Sequence, residues 1–357
     1  MSEPEILCER RGPAGTVLLN RPKALNALTL GMVRILAPAL DEWERDPAVT
    51  RVLVEGTGER AFCAGGDIRA LYEAGRSGNL APALAFWREE FRLNIRIKRY
   101  AKPYISLIDG MVMGGGVGIS LHGSHRVAGD RYLFAMPEVG IGFVPDVGAT
   151  YALPRLPGRI GAYLAFTGAS VGPDEAVALG LATHRVASRD FPALREALVA
   201  GEGVEEALAR AARSGSRAPR PVAPGSILAE RGLIDSCFSA ASVPDILARL
   251  DAAATSGSDF AARTAATMRT KSPSSLAIVH EQMRRGGAMS FEEAMATEFR
   301  IVTRLAEERD FYEGVRAAIV EKDGAPRWRP QSFAELPPGS RAPPSAAGRG
   351  RELDDAP

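Results

Sequence analysis

The chain has 357 residues, of which 46% are hydrophobic and 24% charged, and its formal net charge at pH 7 is +1. These values exclude disorder over most of the chain and argue against a broad nucleic-acid or membrane-binding surface. The three cysteines are too widely spaced for a disulfide framework, and no apolar run approaches the roughly 18 residues of a membrane span. With basic charge carried almost wholly by arginine, these features predict a cytoplasmic bacterial protein.

In the first half of the chain, β-rich runs alternate with apolar residues at helical spacing. The predicted strands are Thr16–Asn20, Arg51–Gly56, Tyr104–Asp109 and His125–Ala128, and the predicted helices are Leu30–Glu44 and Ala83–Lys98. Strands that alternate with helices are typical of an α/β architecture.

From about Gly158 the pattern becomes mostly helical, with Ala- and Leu-rich stretches over Pro192–Ala212 and Val243–Ala254. The Pro/Gly/Ser/Arg-rich segment Ser214–Ser226 between them predicts an exposed connection. A further helix is predicted over Ser290–Glu308, because Ser and Glu three residues apart form a capping-box pattern. We expect one catalytic domain over residues 1–336 and a disordered Pro/Gly-rich tail over residues 337–357.

Two glycine-rich segments, Ala61–Ile68 and Asp109–Gly118, each follow a β-rich run and precede a helical pattern. Glycine lets backbone N–H groups approach a ligand with no Cβ in the way, and a helix N-terminus favours negative charge there. Neither segment has the dinucleotide pattern or the P-loop pattern. Taken alone, such a glycine run is more often a tight turn than a ligand-binding segment.

The third segment, Phe134–Gly148, places Glu138 and Asp146 among apolar and small residues. Because a buried carboxylate is costly unless it is paired or used, both are candidates for acid/base or nucleophilic chemistry. The alternative is that each carboxylate caps a turn, one after Pro137 and the other after Pro145.

The three segments, in this order and spacing, resemble the crotonase superfamily and are most similar to its 3-hydroxyisobutyryl-CoA hydrolase branch. The resemblance extends over roughly residues 5–330 and includes the stretches Leu19–Ala27, Lys102–Tyr104, Asp310–Ala317 and Lys322–Asp323. It implies a crotonase (ClpP/crotonase-like) fold, which is a spiral of ββα units with a helical C-terminal region. It also implies hydrolysis of a short β-hydroxyacyl-CoA thioester, with 3-hydroxyisobutyryl-CoA as the substrate, and a place in valine breakdown.

The resemblance implies that backbone amides of Gly66 and Gly115 form an oxyanion hole for the thioester oxygen. Glu138 would be the principal catalytic carboxylate, acting either as a nucleophile or as a general base on water. Asp146 would hold the substrate hydroxyl or the hydrolytic water. The hydratases of the superfamily use a second glutamate where this chain has Gly118, so their two-glutamate mechanism lacks a partner here.

The resemblance also implies a set of substrate-binding residues, of which Glu90 would contact the acyl group and Lys23 the CoA phosphates. The full predicted set is Glu90, Lys23, Ala24, Leu25, Ala64, Asp67 and Ile68. For Glu90, the alternative is a solvated charge on a helix face. No metal or other cofactor is expected, since CoA arrives as part of the substrate, and a homo-oligomer is possible. Two rival functions remain: an enoyl-CoA hydratase or isomerase, and a domain that only binds acyl-CoA or a partner protein.

Overall fold

The computed structural model describes residues 3–214, 225–336 and 352–353. Most of the predicted connection Ser214–Ser226 and of the predicted tail 337–357 lies outside the described residues. The chain divides into two compact units. The first unit comprises Met1–Asp67, Glu89–Ala135 and Ser170–Pro221, and the second comprises Ile68–Arg88, Met136–Ala169 and Val222–Pro357.

All described strands belong to the first unit, where they form two sheets. The larger sheet has the order β1-β2-β3-β5-β7-β9 and the smaller one β4-β6-β8, with bounds β1 Ile6–Arg11, β2 Ala14–Leu19, β3 Arg51–Gly56, β4 Ala61–Cys63, β5 Tyr104–Ile108, β6 Met111–Met113, β7 His125–Ala128, β8 Leu133–Ala135 and β9 His184–Arg185. Only β1 and β2 pair in antiparallel fashion, and the other described pairs are parallel.

The connections repeat one pattern: a strand of the larger sheet leads into a strand of the smaller sheet and then into a helix or turn. This happens at β3–β4, at β5–β6 and at β7–β8, which confirms the predicted ββα units. Because β3 and β5 lie inside a parallel sheet, most of their residues are buried, and Leu53 faces Ile105 across the pair. Leu194 and Leu198 of the helix Phe191–Ala200 pack in the same buried cluster.

The described helices are α1 Leu30–Arg45, α2 Ile68–Arg76, α3 Ala81–Lys98, α4 Gly115–Gly118, α5 Ala149–Ala152, α6 Ile160–Thr167, α7 Pro173–Leu179, α8 Phe191–Ala200, α9 Val204–Ser214, α10 Arg231–Phe238, α11 Val243–Thr255, α12 Asp259–Arg269, α13 Pro273–Gly286, α14 Phe291–Leu305 and α15 Arg309–Val315. The helix-rich C-terminal region is therefore confirmed. Among the described residues, no helix has the length and apolarity that crossing a bilayer requires.

Two helix boundaries show how local chemistry sets the elements. The predicted stretch Pro192–Ala212 is two helices, α8 and α9, because Gly201 adopts a left-handed φ of 96° and ends the first. At the start of α14 the predicted capping box is present: the Ser290 hydroxyl accepts from the Glu293 amide at 3.2 Å, and the Glu293 carboxylate accepts from the Ser290 amide at 2.8 Å.

Candidate active site

In the first unit, the segment that follows β4 lies against Leu28. The Leu28 amide donates to the Gly65 carbonyl at 2.8 Å, and the Asp67 amide donates to the Leu28 carbonyl at 2.9 Å. Gly66 lies between Gly65 and Asp67, and its own N–H takes no part in these two bonds. Gly65 has a φ of 116°, which L side chains rarely adopt, so a glycine is required beside the predicted amide donor.

The second predicted amide donor, Gly115, is the first residue of α4, where an amide has no intrahelical acceptor. A Cβ built on Gly115 would lie 3.3 Å from the Gly66 nitrogen, 3.1 Å from Cδ1 of Leu28 and 2.4 Å from Oε1 of Glu90. The structure therefore brings together Gly66, Gly115 and Glu90, three residues that lie far apart in sequence.

Glu90 lies on α3 and is only 2% exposed, so the alternative of a solvated helix-face charge is wrong. Burial raises the pKa of its carboxyl group to about 8. Its Oε1 atom has no hydrogen-bond partner among the described residues. A buried carboxyl oxygen that lacks a partner beside Gly115 is a candidate contact for a ligand.

The pKa of Glu90 predicts a pH-dependent stability. Because the glutamate ionises near pH 4.5 when unfolded and near pH 8 when folded, folding favours its protonated form. The free energy of unfolding of the wild type should therefore fall as pH rises from about 4.5 to about 8. Glu90→Gln removes this contribution, so its unfolding free energy relative to wild type should rise by a few kcal/mol between pH 5 and pH 9.

Urea unfolding of both proteins at pH 5, 7 and 9 measures this difference. Glu89→Gln is the matched control, since Glu89 is a partly exposed neighbour on the same helix that pairs with Arg34 at 2.7 Å. The unfolding free energy of Glu89→Gln should follow the same pH profile as that of the wild type. A difference between Glu90→Gln and wild type that stays constant across this range would contradict the prediction.

The residues predicted to meet the CoA nucleotide lie in a tight loop of the first unit. Lys23 and Ala24 are exposed and belong to a short 3₁₀ turn, Pro22–Ala24. Leu25 follows with a φ of 53°, and its carbonyl accepts from the Ala64 amide at 3.0 Å. The loop is thus joined by its backbone to the segment that holds Gly66.

Arg21 and Asn26 hold this loop in place, a role that the sequence does not predict. The Arg21 guanidinium pairs with Asp67 at 3.0 Å and with Glu5 at 2.9 Å. Asn26 is fully buried at a φ of 56°, and its amide group donates to the carbonyl oxygens of Thr57 and Ala61. Asp67, predicted to bind substrate, therefore also braces the loop. The only sequence signal was that Arg21 and Asn26 belong to the stretch Leu19–Ala27.

Glu138, in the second unit, opens the 3₁₀ turn Glu138–Ile141 and is 7% exposed. Burial raises the pKa of its carboxyl group to about 8. Its Oε2 atom has no hydrogen-bond partner among the described residues. Ile68, predicted to bind substrate, is the first residue of α2 in the same unit and is half-buried.

The turn that carries Glu138 is supported by residues from the C-terminal helices. The Ser272 amide donates to the Val139 carbonyl at 3.3 Å. A Cβ on Gly142 would lie 2.1 Å from the Asp310 carbonyl oxygen, and one on Gly314 would lie 2.2 Å from the carbonyl carbon of Ile141. The stretch Asp310–Ala317, part of the family resemblance, is therefore packed against this turn. The close approach explains why position 314 of the stretch is a glycine.

Asp146 also lies in the second unit and is 5% exposed. Its carbonyl accepts from the Ala149 amide at 2.9 Å, at the start of α5. The two residues after it, Val147 and Gly148, have left-handed φ values of 50° and 90°. A β-branched residue at positive φ is strained, so the surrounding structure must hold this turn.

Comparisons with known proteins identify the family of the chain. The enoyl-CoA hydratase/isomerase family model matches residues 14–341. The mitochondrial 3-hydroxyisobutyryl-CoA hydrolase of Xenopus tropicalis is 45% identical over 339 residues, which cover 93% of this chain and 86% of that protein. The human protein of the same name is 40% identical over 336 residues, with the same coverage of both chains.

Two solved structures have nearly the same fold. A carnitinyl-CoA dehydratase from Mycobacterium thermoresistibile superposes with a TM-score of 0.88 at 40% identity, covering 95% of each chain. An enoyl-CoA hydratase from Rhodobacter sphaeroides gives a TM-score of 0.84 at 38% identity, covering 95% of this chain and 96% of that one. The chain has the crotonase fold and belongs to the enoyl-CoA hydratase/isomerase family.

Proposed function

We propose that this chain is an acyl-CoA thioester hydrolase that converts 3-hydroxyisobutyryl-CoA to 3-hydroxyisobutyrate and CoA, a step of valine catabolism. The observation that carries the proposal is the set of acidic residues: Glu138 and Asp146 are buried carboxylates, and Gly118 stands where a hydratase of this family has its second glutamate. The names of the relatives at 40–45% identity support the same substrate.

In the proposed reaction, the amides of Gly66 and Gly115 stabilise the oxyanion that forms when the thioester carbon is attacked. Glu138 either attacks this carbon, giving a mixed anhydride that water then opens, or removes a proton from the attacking water. In both cases the C–S bond breaks and CoA leaves as a thiolate that takes up a proton. Asp146 orients the substrate hydroxyl or the water. This chemistry requires no metal or redox cofactor.

The alternative is an enoyl-CoA hydratase or isomerase that relies on Glu138 alone, and the names of the two solved relatives favour it. The experiment that separates the two follows free thiol with 3-hydroxyisobutyryl-CoA, and hydration of the double bond with crotonyl-CoA. Thiol release that Asp146→Asn strongly reduces would support the hydrolase. Hydration of crotonyl-CoA without thiol release would establish the alternative. Binding of either thioester without turnover would indicate a domain that only binds acyl-CoA.

The pKa of Glu138 predicts the pH dependence of this reaction. Both versions of the mechanism need the carboxylate, and the carboxyl group of the free enzyme ionises near pH 8. We therefore expect kcat/KM for thiol release to rise about tenfold per pH unit below pH 8 and to level off above it. Initial rates between pH 6 and 9.5, corrected for spontaneous hydrolysis, measure the profile. Glu90→Gln should keep the same acidic limb, and a flat profile would contradict the assignment.

The acyl specificity should be modest. The 3-hydroxypropionyl thioester differs from the proposed substrate by one methyl group, and a pocket discriminates one methyl by about 1–3 kcal/mol.

We also propose that the protein is a cytoplasmic enzyme of a bacterium, because its basic charge is carried almost wholly by arginine. The curated relatives are named as mitochondrial proteins. A homo-oligomer is part of the same proposal.

A further inference from the structure

A buried glutamate of α14 contacts the turn that carries Asp146. Glu298 is fully buried, and its Oε2 atom accepts from the Gly148 amide at 2.7 Å. Its Oε1 atom accepts from the Thr150 amide, also at 2.7 Å. In the described part of the chain, no lysine or arginine pairs with this carboxylate. The two oxygens are therefore occupied by the backbone directly after Asp146.

Such a group is not explained by packing alone. Burial raises the pKa of Glu298 to about 7, which shows that its environment disfavours the charge. An apolar residue of similar size would avoid that cost. What the carboxylate supplies instead is two acceptors for the amides of a turn in which Val147 and Gly148 have positive φ values. The strain of a β-branched residue such as Val147 at positive φ persists only where neighbouring groups fix the backbone.

Gln282 of α13 fixes the other side of the same turn. Its side-chain amide nitrogen donates to the Pro145 carbonyl at 3.0 Å and to the Thr150 hydroxyl at 2.8 Å. Gln282 is 2% exposed. The backbone is thus held directly before Asp146, by Gln282, and directly after it, by Glu298.

We propose that Glu298 and Gln282 are positioning residues, which hold the Pro145–Thr150 turn in the conformation that presents the Asp146 carboxylate to the substrate. This inference rests on the proposed function, since it gives Asp146 a part in the reaction. Neither residue touches the reacting atoms in this view. Each acts through the backbone of the turn.

A double-mutant cycle with Asp146→Asn tests the proposal. Glu298→Gln replaces one acceptor oxygen by an amide group that cannot accept. In the wild-type background it should lower kcat for thiol release about 30-fold, with a change in KM below threefold. In the Asp146→Asn background it should lower the residual kcat less than threefold, because the carboxylate that it positions is gone. An equal loss in both backgrounds would overturn the proposal.

Two further variants keep the cycle interpretable. Gln282→Leu tests the turn from its other side, and should show the same background dependence even if Glu298→Gln does not fold. Leu250→Ala is the control for lost stability, because Leu250 is fully buried on α11 and contributes no polar group. It should change kcat by the same small factor in both backgrounds. A background dependence for Leu250→Ala equal to that of Glu298→Gln would overturn the proposal.

Amide hydrogen exchange separates this proposal from the proposed function. In Glu298→Gln, at least one of the Gly148 and Thr150 amides should exchange at least tenfold faster than in wild type, while the amides of α11 keep their rates. This arm needs no substrate. If the wild type fails to release thiol but either amide loses protection in Glu298→Gln, the proposed function is wrong and the contact between Glu298 and the turn is supported. If their exchange is unchanged, the positioning role is wrong whatever the activity.

Discussion

Glu138→Gln should lower thiol release at least about a thousandfold and, above pH 8, make the protein more stable than the wild type. The loss follows because an amide can neither attack the thioester carbon nor accept a proton from water. The gain follows because the folded protein must bury an ionised Glu138 above the pKa of about 8, whereas glutamine is neutral at every pH. Steady-state thiol release and urea unfolding at pH 9 measure the two effects.

This opposite change in activity and stability distinguishes a catalytic group from a structural one. Replacing a residue that is needed for the fold would lower both the activity and the stability. Glu89→Gln serves again as the control, because it removes a glutamate that is partly exposed and should leave the rate within about twofold. Retention of more than a tenth of the wild-type rate by Glu138→Gln would contradict the role of Glu138.

The same residue permits a test between the two versions of the mechanism. If Glu138 attacks the thioester and ¹⁸O-labelled water then attacks the glutamyl carbonyl of the mixed anhydride, the label stays in the Glu138 carboxylate and the product acid takes an oxygen from Glu138. If Glu138 acts only as a general base, the label should enter the product acid alone. Mass spectrometry of the peptide that contains Glu138, after many turnovers, reads the outcome directly.

Gly115→Ala should lower kcat/KM about 100- to 1000-fold, which is the usual effect of losing one oxyanion-hole donor. The amide itself remains, but the added methyl would occupy the space that the two amides share. It would lie 3.3 Å from the Gly66 nitrogen and 2.4 Å from Oε1 of Glu90, so the buried Glu90 carboxylate must also move. Initial rates at low substrate concentration measure the effect.

The control for this variant is Gly232→Ala in α10, where an added Cβ meets no atom within 4 Å. An alanine at an open helical position should leave the rate unchanged and not weaken the fold. Circular dichroism should show that Gly115→Ala is folded at the assay temperature. A rate for the folded Gly115→Ala within threefold of wild type would show that Gly115 does not line the site.

Much of the fold could be read from the sequence because its signals are local. The strands Arg51–Gly56 and His125–Ala128 have the predicted bounds, and the capping box at Ser290 identifies the start of α14. The break between α8 and α9 was missed, although Gly201 is the usual kind of residue at a helix end. The short strands β4, β6 and β8 were also missed, since three residues are too few to show a period.

The candidate site was predictable only where a family resemblance supplied the spacing. The resemblance made Glu90 a substrate contact, whereas the helix pattern was equally consistent with a surface charge. Only the packing around α3 decides that Glu90 is buried. Glu298 gave no signal at all. It belongs to a 15-residue helix with charged residues, and its role depends on a turn about 150 positions earlier in the chain. Contacts at such separation cannot be inferred from local pattern.

The interleaving of the two units has a consequence for the newly synthesised chain. The last segment of the first unit ends at Pro221, whereas the support of the Glu138 turn requires residues up to about Val315. At about 5–20 residues per second, a ribosome needs roughly 5 to 20 seconds to add these residues. During that interval the apolar segment around Glu138 has been made but lacks its packing partners. A chaperone that shields this segment would therefore act before the C-terminal helices have been made.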